Sequence, residues 1–248
     1  MSDPFVLVTG AGGGLGRALS RALLARGARV AGLGRNAAAL AETGQGGDRF
    51  HALIADVADA QAVRDAVAEA EAIAPLTTLI NNAAVYPRRD FLDETGESFM
   101  ATVATNLGGP VNCARAVLGP MTERGRGRIL NVSTFADVAP LPASSAYAVS
   151  KGAQRILTRA LIADICDRFP EIVINDWMPG MLATRMGIKD GLPPETAAAW
   201  GAELALMTDA SLTGTIFEQN REVPPPRSLK GRIRDRLLGR KQALRVLG

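Results

Sequence analysis

Histidine is nearly absent from this chain, which contains one in 248 residues, His51. A catalytic dyad or metal site based on histidine is therefore not expected. We interpret His51 more simply as a residue at the edge of a strand. Cysteine is also scarce: Cys113 and Cys166 lie in predicted helices and lack a metal-ligand spacing. We interpret both as reduced packing residues of a cytoplasmic protein, and we expect no metal.

Aromatic residues account for only 4% of the chain, against a hydrophobic content of 47%. The core must therefore consist mainly of Ala, Val, Leu and Ile, as is typical of helices packed on a sheet. No apolar run reaches the ~18 residues that indicate a membrane-spanning helix. The first residues, MSDPFVLVTGAGGG, contain no basic segment before an apolar one, so we expect no signal peptide.

The net charge of +3 is unevenly distributed. Residues 223–248 contain eight Lys/Arg and one acid, whereas the rest of the chain contains 20 basic and 24 acidic residues. The basic excess therefore belongs to the tail, and the main domain, residues 1–222, is not expected to bind nucleic acid.

The tail itself begins with three prolines, 224–226, which predict an extended spacer. The basic segment after them places five apolar side chains roughly on one helical face: Leu229, Ile233, Leu237, Leu244 and Leu247. Docking on a neighbouring subunit, association with an acidic partner or an anionic membrane surface, and disorder all remain open, and we favour docking or disorder over the membrane.

A glycine-rich stretch follows the first apolar run. Residues 5–8, Phe-Val-Leu-Val, have the character of a strand covered on both faces, and TGAGGGLG at 9–16 leads into a helix that reaches about Arg26. Glycines allow a tight turn and a close approach of the backbone to a pyrophosphate, and the start of the helix favours negative charge. This order predicts dinucleotide binding.

The second predicted strand, Arg29–Leu33, ends at Gly34-Arg35-Asn36. An acidic residue here would bind a ribose 2′-hydroxyl, whereas Arg35 offers a planar cation suited to a 2′-phosphate. The sequence therefore favours NADP(H) over NAD(H), with a solvated surface arginine as the alternative.

Predicted strands and helices alternate along the whole domain, which indicates an α/β fold with one doubly wound parallel sheet. The further strands are 50–54, 77–80, 127–132, 172–177 and 215–217, and the further helices are 59–73, 100–124, 144–169 and 193–207. The pattern of helix 100–124 is interrupted near Gly108-Gly109-Pro110.

Tyr147 and Lys151 are four residues apart in a predicted helix and so share one face. A free phenol has a pKa near ~10, and a nearby ammonium favours the phenolate. The pair can therefore serve acid/base chemistry, although any helix produces such spacings by chance.

Taken together, these motifs resemble those of the short-chain dehydrogenase/reductase family, from Val6 to about Phe217. The matching elements are TGAGGGLG at 9–16, Asp56, NNAA at 81–84, Asn106, Ser133-Thr134, YAVSK at 147–151 and PGMLAT at 179–184. The resemblance implies a Rossmann-like domain with a sheet of about seven strands and helices on both faces. It also implies a homodimer or homotetramer built through helices 100–124 and 144–169.

The resemblance further implies the site residues. The catalytic group would comprise Asn106, Thr134, Tyr147 and Lys151. The cofactor would contact Gly10, Gly14, Leu15, Gly16, Arg35, Asp56, Val57, Asn82, Ala83, Tyr147, Lys151, Pro179, Gly180 and Thr184. Tyr147 would be the acid/base, Lys151 would bind ribose hydroxyls and lower the pKa of the tyrosine, and Asn106 would hold a water in the proton path.

The chain departs from the family pattern at the position of the catalytic serine, thirteen residues before the tyrosine, where it has Thr134. Threonine keeps the hydroxyl but adds a methyl group that restricts χ1 and crowds the substrate. We expect Thr134 to polarise the carbonyl, with Ser133 as the alternative if the strand end is bulged. Ala84 in NNAA replaces a more usual glycine and is expected to be tolerated.

Two further departures concern the substrate and the end of the domain. The segment 185–192 is short, which predicts an open site, and Glu218–Glu222 replaces the usual ending of the domain. An apolar component of the substrate is suggested by five candidate pocket residues: Phe135, Val138, Leu141, Met181 and Trp177.

The sequence as a whole predicts an NADP(H)-dependent oxidoreductase that interconverts a small-molecule carbonyl and an alcohol. A non-catalytic dinucleotide-binding regulator or scaffold of the same fold is the alternative. An epimerase or dehydratase acting on an activated sugar is a third possibility, although such relatives usually have longer substrate domains.

Overall fold

A mostly parallel sheet with helices on both faces forms the centre of the computed structural model, which describes residues 3–224 and 243–248. Its strands are β1 (Phe5–Thr9), β2 (Arg29–Gly34), β3 (Phe50–Ile54), β4 (Thr78–Asn81), β5 (Arg126–Val132), β6 (Glu171–Met178), β7 (Ile216–Glu218) and β8 (Arg221–Val223). They lie in the order β3-β2-β1-β4-β5-β6-β7-β8. The predicted Rossmann-like α/β fold is therefore confirmed.

The far edge of the sheet differs from the prediction of about seven parallel strands, because β8 is added antiparallel to β7. The two strands are joined by the two-residue loop Gln219-Asn220, in which Gln219 has a φ of 51°. Two-residue hairpins require positive φ values in the loop. Glycine usually signals this conformation, and the loop contains none.

The helices are α1 (Gly14–Ala25), α2 (Ala37–Gly44), α3 (Ala60–Ile73), α4 (Gly96–Val103), α5 (Gly109–Arg124), α6 (Ser145–Ile165) and α7 (Pro194–Leu206). The prediction missed α2, which begins where the side chain of Asn36 accepts a hydrogen bond of 3.0 Å from the backbone N–H of Ala39. Such a cap satisfies one of the free N–H groups of the first turn. It also sets the direction of the chain directly after Arg35.

Alternate residues of β1 point into two separate hydrophobic clusters. Val6 and Val8 pack with α1 and α7 on one face of the sheet, whereas Phe5 and Leu7 pack with α3 and α5 on the other. A strand buried on both faces reads as a continuous apolar run. Within the described residues, no helix is long and apolar enough to cross a membrane.

The predicted helix 100–124 consists of three parts: α4, a π-helical turn at Ala104–Gly108, and α5. The predicted interruption near Gly108-Gly109-Pro110 therefore lies at the end of the π-helical turn. Pro110 has no N–H to donate to the carbonyl of Asn106 four residues earlier, so one hydrogen bond of a regular α-helix is missing at this point. Turns of this kind occur frequently at functional sites.

The last six residues return to the edge of the sheet. The N–H of Leu247 donates to Asn220 O at 2.8 Å, and the N–H of Glu222 donates to Arg245 O at 3.0 Å. Leu247 is 2% exposed within the core. Leu244 and Leu247 thus belong to an extended segment and not to the expected helical face. Residues 225–242, which include most of the predicted spacer and basic segment, lie outside the described residues.

Candidate active site

The carboxyl ends of β1, β4, β5 and β6 lie next to one another at the centre of the sheet. The order of strands reverses between β1 and β4, since β2 and β3 follow on one side and β5 and β6 on the other. Ligands of open α/β sheets bind in the crevice at such a reversal. Most of the predicted site residues follow these four strand ends.

The glycine turn after β1 has the backbone geometry that a dinucleotide requires. Gly10 and Gly14 have φ values of +68° and +50°, in the region that side chains disfavour. A Cβ on Gly16 would lie 2.1 Å from Gly10 O. The turn therefore excludes side chains at the positions where the resemblance requires glycine.

Helix α1 begins in this turn. Its N-cap, Gly13, makes no side-chain cap hydrogen bond, and the first turn contains no acidic residue. A Cβ on Gly13 would meet no atom within 4 Å, which leaves open space above the turn. These residues fit a pyrophosphate held by the backbone N–H groups of a helix start. Leu15 points inward and is 8% exposed.

The end of β4 is tied to the end of β1 by a set of short hydrogen bonds. The hydroxyl of Thr9 accepts from the N–H groups of Asn82, at 2.9 Å, and Ala83, at 3.0 Å. The side chain of Asn82 donates to Thr9 O at 2.8 Å. A Cβ on Gly10 would lie 3.0 Å from the Cα of Ala83. Asn82 and Ala83 thus pack directly against the glycine turn at Thr9 and Gly10.

Arg35 lies directly after β2, with its side chain 70% exposed and 3.4 Å from the carboxylate of Asp56. Asp56 also accepts a hydrogen bond of 3.0 Å from the N–H of Ala58. Val57 is only 6% exposed, and its backbone carbonyl accepts a hydrogen bond of 2.9 Å from the side chain of Asn112. The guanidinium and the carboxylate therefore face the same side of the crevice, whereas the side chain of Val57 belongs to the core.

The segment after β6 covers the glycine turn. Pro179 is buried, and Gly180 has a φ of +87°. A Cβ on Gly14 would lie 3.5 Å from the methyl group of Thr184. The hydroxyl of Thr184 accepts from the N–H of Gly187 at 3.1 Å. The short segment 185–192 thus folds back on itself above the start of α1.

Tyr147 and Thr134 come together at the end of β5. Burial raises the pKa of the Tyr147 phenol, and a hydrogen bond with the Thr134 hydroxyl opposes this shift. Ser133 is 4% exposed, and its hydroxyl has no hydrogen-bond partner among the described residues. Of the two predicted hydroxyls, the one beside the phenol is therefore that of Thr134.

Lys151 lies one turn further along α6 and is 3% exposed. Its ammonium donates to Val132 O at 2.6 Å and also to the side-chain oxygen of Gln154. Burial lowers the pKa of Lys151 to about 8, while the Asp176 carboxylate acts in the opposite direction. Since burial dominates at both Tyr147 and Lys151, the phenol in this arrangement does not have the lowered pKa expected from the lysine.

Asn106, in the π-helical turn, is 0% exposed. Its amide nitrogen donates to Val85 O at 2.9 Å and to the Ser150 hydroxyl at 3.0 Å, and its oxygen accepts from the N–H of Val85 at 2.8 Å. Both amide hydrogens are thus used within the chain. The side chain connects the loop after β4 to the helix that carries Tyr147.

Two contacts at the site were not predicted. Tyr86, in the loop after β4, stacks on the ring of Tyr147, and the guanidinium of Arg88 lies 5.3 Å from the centre of the Tyr86 ring. Gln154 accepts a hydrogen bond from Lys151, and the Asp176 carboxylate is close enough to raise the pKa of Lys151 against the effect of burial. An Asp inside the apolar strand Ile172–Trp177 was a visible signal of the second contact, whereas no sequence pattern pointed to Tyr86.

The five predicted apolar pocket residues lie in two different settings. Phe135, Val138, Leu141 and Met181 expose 42%, 72%, 61% and 65% of their surface in the loops above β5 and β6. Trp177 does not belong to this group, because it is 0% exposed and its indole N–H donates to Gln219 O at 2.9 Å. It points into the core beneath α7, on the opposite face of the sheet from α6.

Comparisons with known proteins agree with this geometry. The family model for short chain dehydrogenase matches residues 4–192. Galactitol 2-dehydrogenase (L-tagatose-forming) of Cereibacter sphaeroides is 38% identical over 198 residues, which cover 78% of this chain and 77% of that protein. Carbonyl reductase [NADPH] 2 of Sus scrofa is 33% identical over 192 residues, or 77% of each. A solved structure from Beutenbergia cavernae, that of a candidate NAD(P)-dependent gluconate 5-dehydrogenase, superposes with a TM-score of 0.79 at 24% identity over 88% of this chain and 95% of that one.

Proposed function

The chain belongs to the short-chain dehydrogenase family and is an oxidoreductase acting on CH–OH and C=O groups, and from this premise we propose that it uses NADP(H), with Tyr147 as the acid/base. The observation that carries the proposal is the position of the half-buried Tyr147 phenol beside the Thr134 hydroxyl, with the buried Lys151 one turn further along the same helix.

The proposed mechanism assigns one task to each side chain. The nicotinamide supplies or accepts the hydride when it is bound. Thr134 and Tyr147 hold the substrate oxygen, and Tyr147 gives a proton to it in reduction or takes one from it in oxidation. Lys151 holds ribose hydroxyls, and its positive charge opposes the rise that burial causes in the pKa of Tyr147. Asn106 keeps the π-helical turn against Val85, so that its backbone carbonyl can hold a water.

The preference for NADP(H) rests on Arg35. Its side chain is exposed at the end of β2, where a ribose 2′-substituent would lie. The partnership with Asp56 is long, at 3.4 Å, and leaves the fork of the guanidinium accessible to a phosphate. Carbonyl reductase [NADPH] 2, a relative at 33% identity, is named for the same nucleotide.

We further propose a small-molecule substrate with an apolar part, because four apolar residues are exposed in the loops that follow β5 and β6: Phe135, Val138, Leu141 and Met181. The relatives named above act on a polyol and on carbonyl compounds. The first substrates to test are therefore small polyols with NADP⁺ and small ketones with NADPH.

Assembly into a homodimer or homotetramer is part of the proposal. Met100, Val111, Val149 and Ile156 expose 59%, 43%, 56% and 60% of their surface on α4, α5 and α6. A contiguous exposed apolar patch is typical of an interface, and we propose that these four side chains form one. Light scattering of the purified chain would measure its mass directly, and a monomer would contradict this part. A cytoplasmic location remains a prediction.

The decisive experiment measures NADPH-dependent reduction of a ketone panel by the wild-type chain and by Tyr147→Phe, with NADPH affinity measured by fluorescence on both. The variant should bind NADPH as the wild type does and lose turnover by about 10²–10⁴-fold. A variant with wild-type turnover would remove Tyr147 from the proposed role. A wild-type chain that binds nucleotide and turns over none of the substrates would favour the non-catalytic alternative, which the comparisons do not favour.

A further inference from the structure

A row of polar side chains crosses three neighbouring strands beneath α6. Asn81 of β4 lies in register with Asn131 of β5, which lies in register with Asp176 of β6. The three residues are 3%, 1% and 4% exposed. Their neighbours on the same face, such as Leu79, Ile129 and Ile174, belong to the hydrophobic core. A buried carboxylate in such surroundings is costly unless it has a role or a partner.

The hydrogen bonds of this row all run toward Asp176. Asn81 Nδ2 donates to Asn131 Oδ1 at 2.8 Å, and Asn131 Nδ2 donates to the hydroxyl of Thr158 at 2.9 Å. Thr158 in turn donates to the Asp176 carboxylate at 2.8 Å. Each donor polarises the next, so that the chain of bonds favours negative charge at its end.

The other end of the same cluster is Lys151. Lys151, Gln154 and Thr158 follow one another along a single face of α6. The ammonium donates to Val132 O, directly after Asn131, and to Gln154, which is 0% exposed. Both acceptors are neutral, so neither supplies the negative charge that a buried ammonium requires to remain protonated.

Few charged groups are close enough to supply it. Arg155 and Arg159 of α6 act on Asp176 together with Lys151. Arg155 is already paired with Asp137, at 2.8 and 2.6 Å. From the neighbouring strands, the groups in register with Asp176 are the neutral Asn131 and the apolar Ile216. Asp176 is the acidic residue that raises the proton affinity of Lys151, against the effect of burial.

We propose that Asp176 is a positioning residue for the reaction: its carboxylate, held by Thr158 beneath α6, keeps the Lys151 ammonium charged, so that Lys151 can hold the ribose and favour the Tyr147 phenolate. This inference rests on the function proposed above. It adds Gln154 and Thr158 as the side chains that set the distance between the two charges.

The test measures NADPH affinity by fluorescence between pH 6 and 10 on the wild type and on Asp176→Asn. Affinity should fall with rising pH as Lys151 loses its proton. Because the substitution removes a negative charge, Lys151 should lose its proton more readily, and the fall in affinity should occur about one pH unit lower or more. The 2′-phosphate titrates identically in both proteins and cancels from the comparison.

Asp164→Asn is the matched control, since it removes the same charge from an exposed position on α6, about 20 Å along the helix from Lys151. It should behave as the wild type does. If Asp176→Asn does not fold, Thr158→Val replaces it and should shift the transition in the same direction by a smaller amount, because the lost hydrogen bond favours a neutral Asp176. A transition that stays in place or moves upward overturns the inference, whereas a wild type that does not bind NADPH overturns the proposed function first.

Discussion

The rings of Tyr86 and Tyr147 stack at 4.5 Å between centroids, with 20° between their planes. Tyr86 belongs to the loop after β4, and the same loop reaches the segment after β6 through Arg88, which donates to Met186 O at 3.0 Å and to Gly187 O at 2.6 Å. The ring of Tyr147, which we propose as the acid/base, therefore packs against the loop after β4. The same loop is hydrogen-bonded to the segment after β6, which lies over the glycine turn. The stack and the two hydrogen bonds of Arg88 thus connect the Tyr147 ring to the segment after β6.

Replacing Tyr86 by Leu should lower kcat about tenfold while NADPH affinity stays unchanged, because the ring that orients Tyr147 is lost and the glycine turn is untouched. Tyr86→Phe is the control, since it keeps the stack. Steady-state kinetics on the best substrate would measure both. Equal losses in the two variants would show that the hydroxyl of Tyr86, and not its ring, is what Tyr147 requires.

The pH dependence of alcohol oxidation should also respond to Tyr86. Oxidation requires the Tyr147 phenolate, so kcat/KM should rise with pH along a limb set by the raised pKa of Tyr147. The charge of Tyr86 is one of the causes that raise this pKa. Tyr86→Phe should therefore move the limb toward lower pH. A limb that moves upward or does not move would contradict the assignment.

Thr134→Val removes a hydroxyl while keeping the shape of the side chain, and it should lower kcat about 10²-fold if this hydroxyl polarises the substrate oxygen. Thr134→Ser should retain activity, because it keeps the hydroxyl. Ser133→Ala tests the alternative at the preceding residue and should have little effect. A larger loss in Ser133→Ala than in Thr134→Val would transfer the role to Ser133.

Arg35→Ala should weaken NADPH binding about tenfold or more and leave NADH binding unchanged, because a guanidinium recognises the 2′-phosphate and not the 2′-hydroxyl. Arg49→Ala is the control: it removes an exposed arginine, paired with Asp3, at the amino end of β3. Fluorescence titration with both nucleotides decides the outcome. An equal loss of NADH affinity would mean that Arg35 stabilises the loop and does not bind the 2′-phosphate.

Leu247→Ala should destabilise the fold by about 2 kcal/mol, because its side chain fills the core beside α1 and α7. Leu244→Ala provides the comparison, since Leu244 is 38% exposed three residues earlier and its truncation should change little. Denaturant unfolding followed by circular dichroism would measure both. Equal stabilities would contradict the docking of the last six residues on the sheet edge.

Much of this fold could be predicted from patterns that are visible in the sequence. Apolar runs such as Phe5–Val8 identify the strands, and their ends identify the crevice, because the ends of parallel strands meet at one edge of the sheet. The hairpin of β7 and β8 was missed since Gln219 adopts a positive φ without a glycine to signal it. Helix α2 was missed because a short Ala-rich segment has little periodicity.

The side chains around the motifs were harder to predict. Strand β6 is covered on both faces, so its sequence does not reveal that Asp176 faces α6 while Trp177 faces the core beneath α7. That distinction depends on the register with β5. The stack of Tyr86 on Tyr147 depends on the path of a loop, which no local pattern determines. Motifs thus located the reacting groups, and packing determined their partners.

The buried row that ends at Asp176 has a consequence for heat resistance. Burial raises the pKa of the Asp176 carboxyl group from 3.8 to about 6 in the folded chain. Because the folded state then holds this proton more tightly than the unfolded state, the free energy of unfolding falls by about 3 kcal/mol as the pH rises from below 4 to above 6. A laboratory selection for thermal survival at neutral pH, with no demand for turnover, should therefore favour neutral replacements at position 176. The most heat-resistant descendants of this chain would then be those that bind NADPH least well above pH 7.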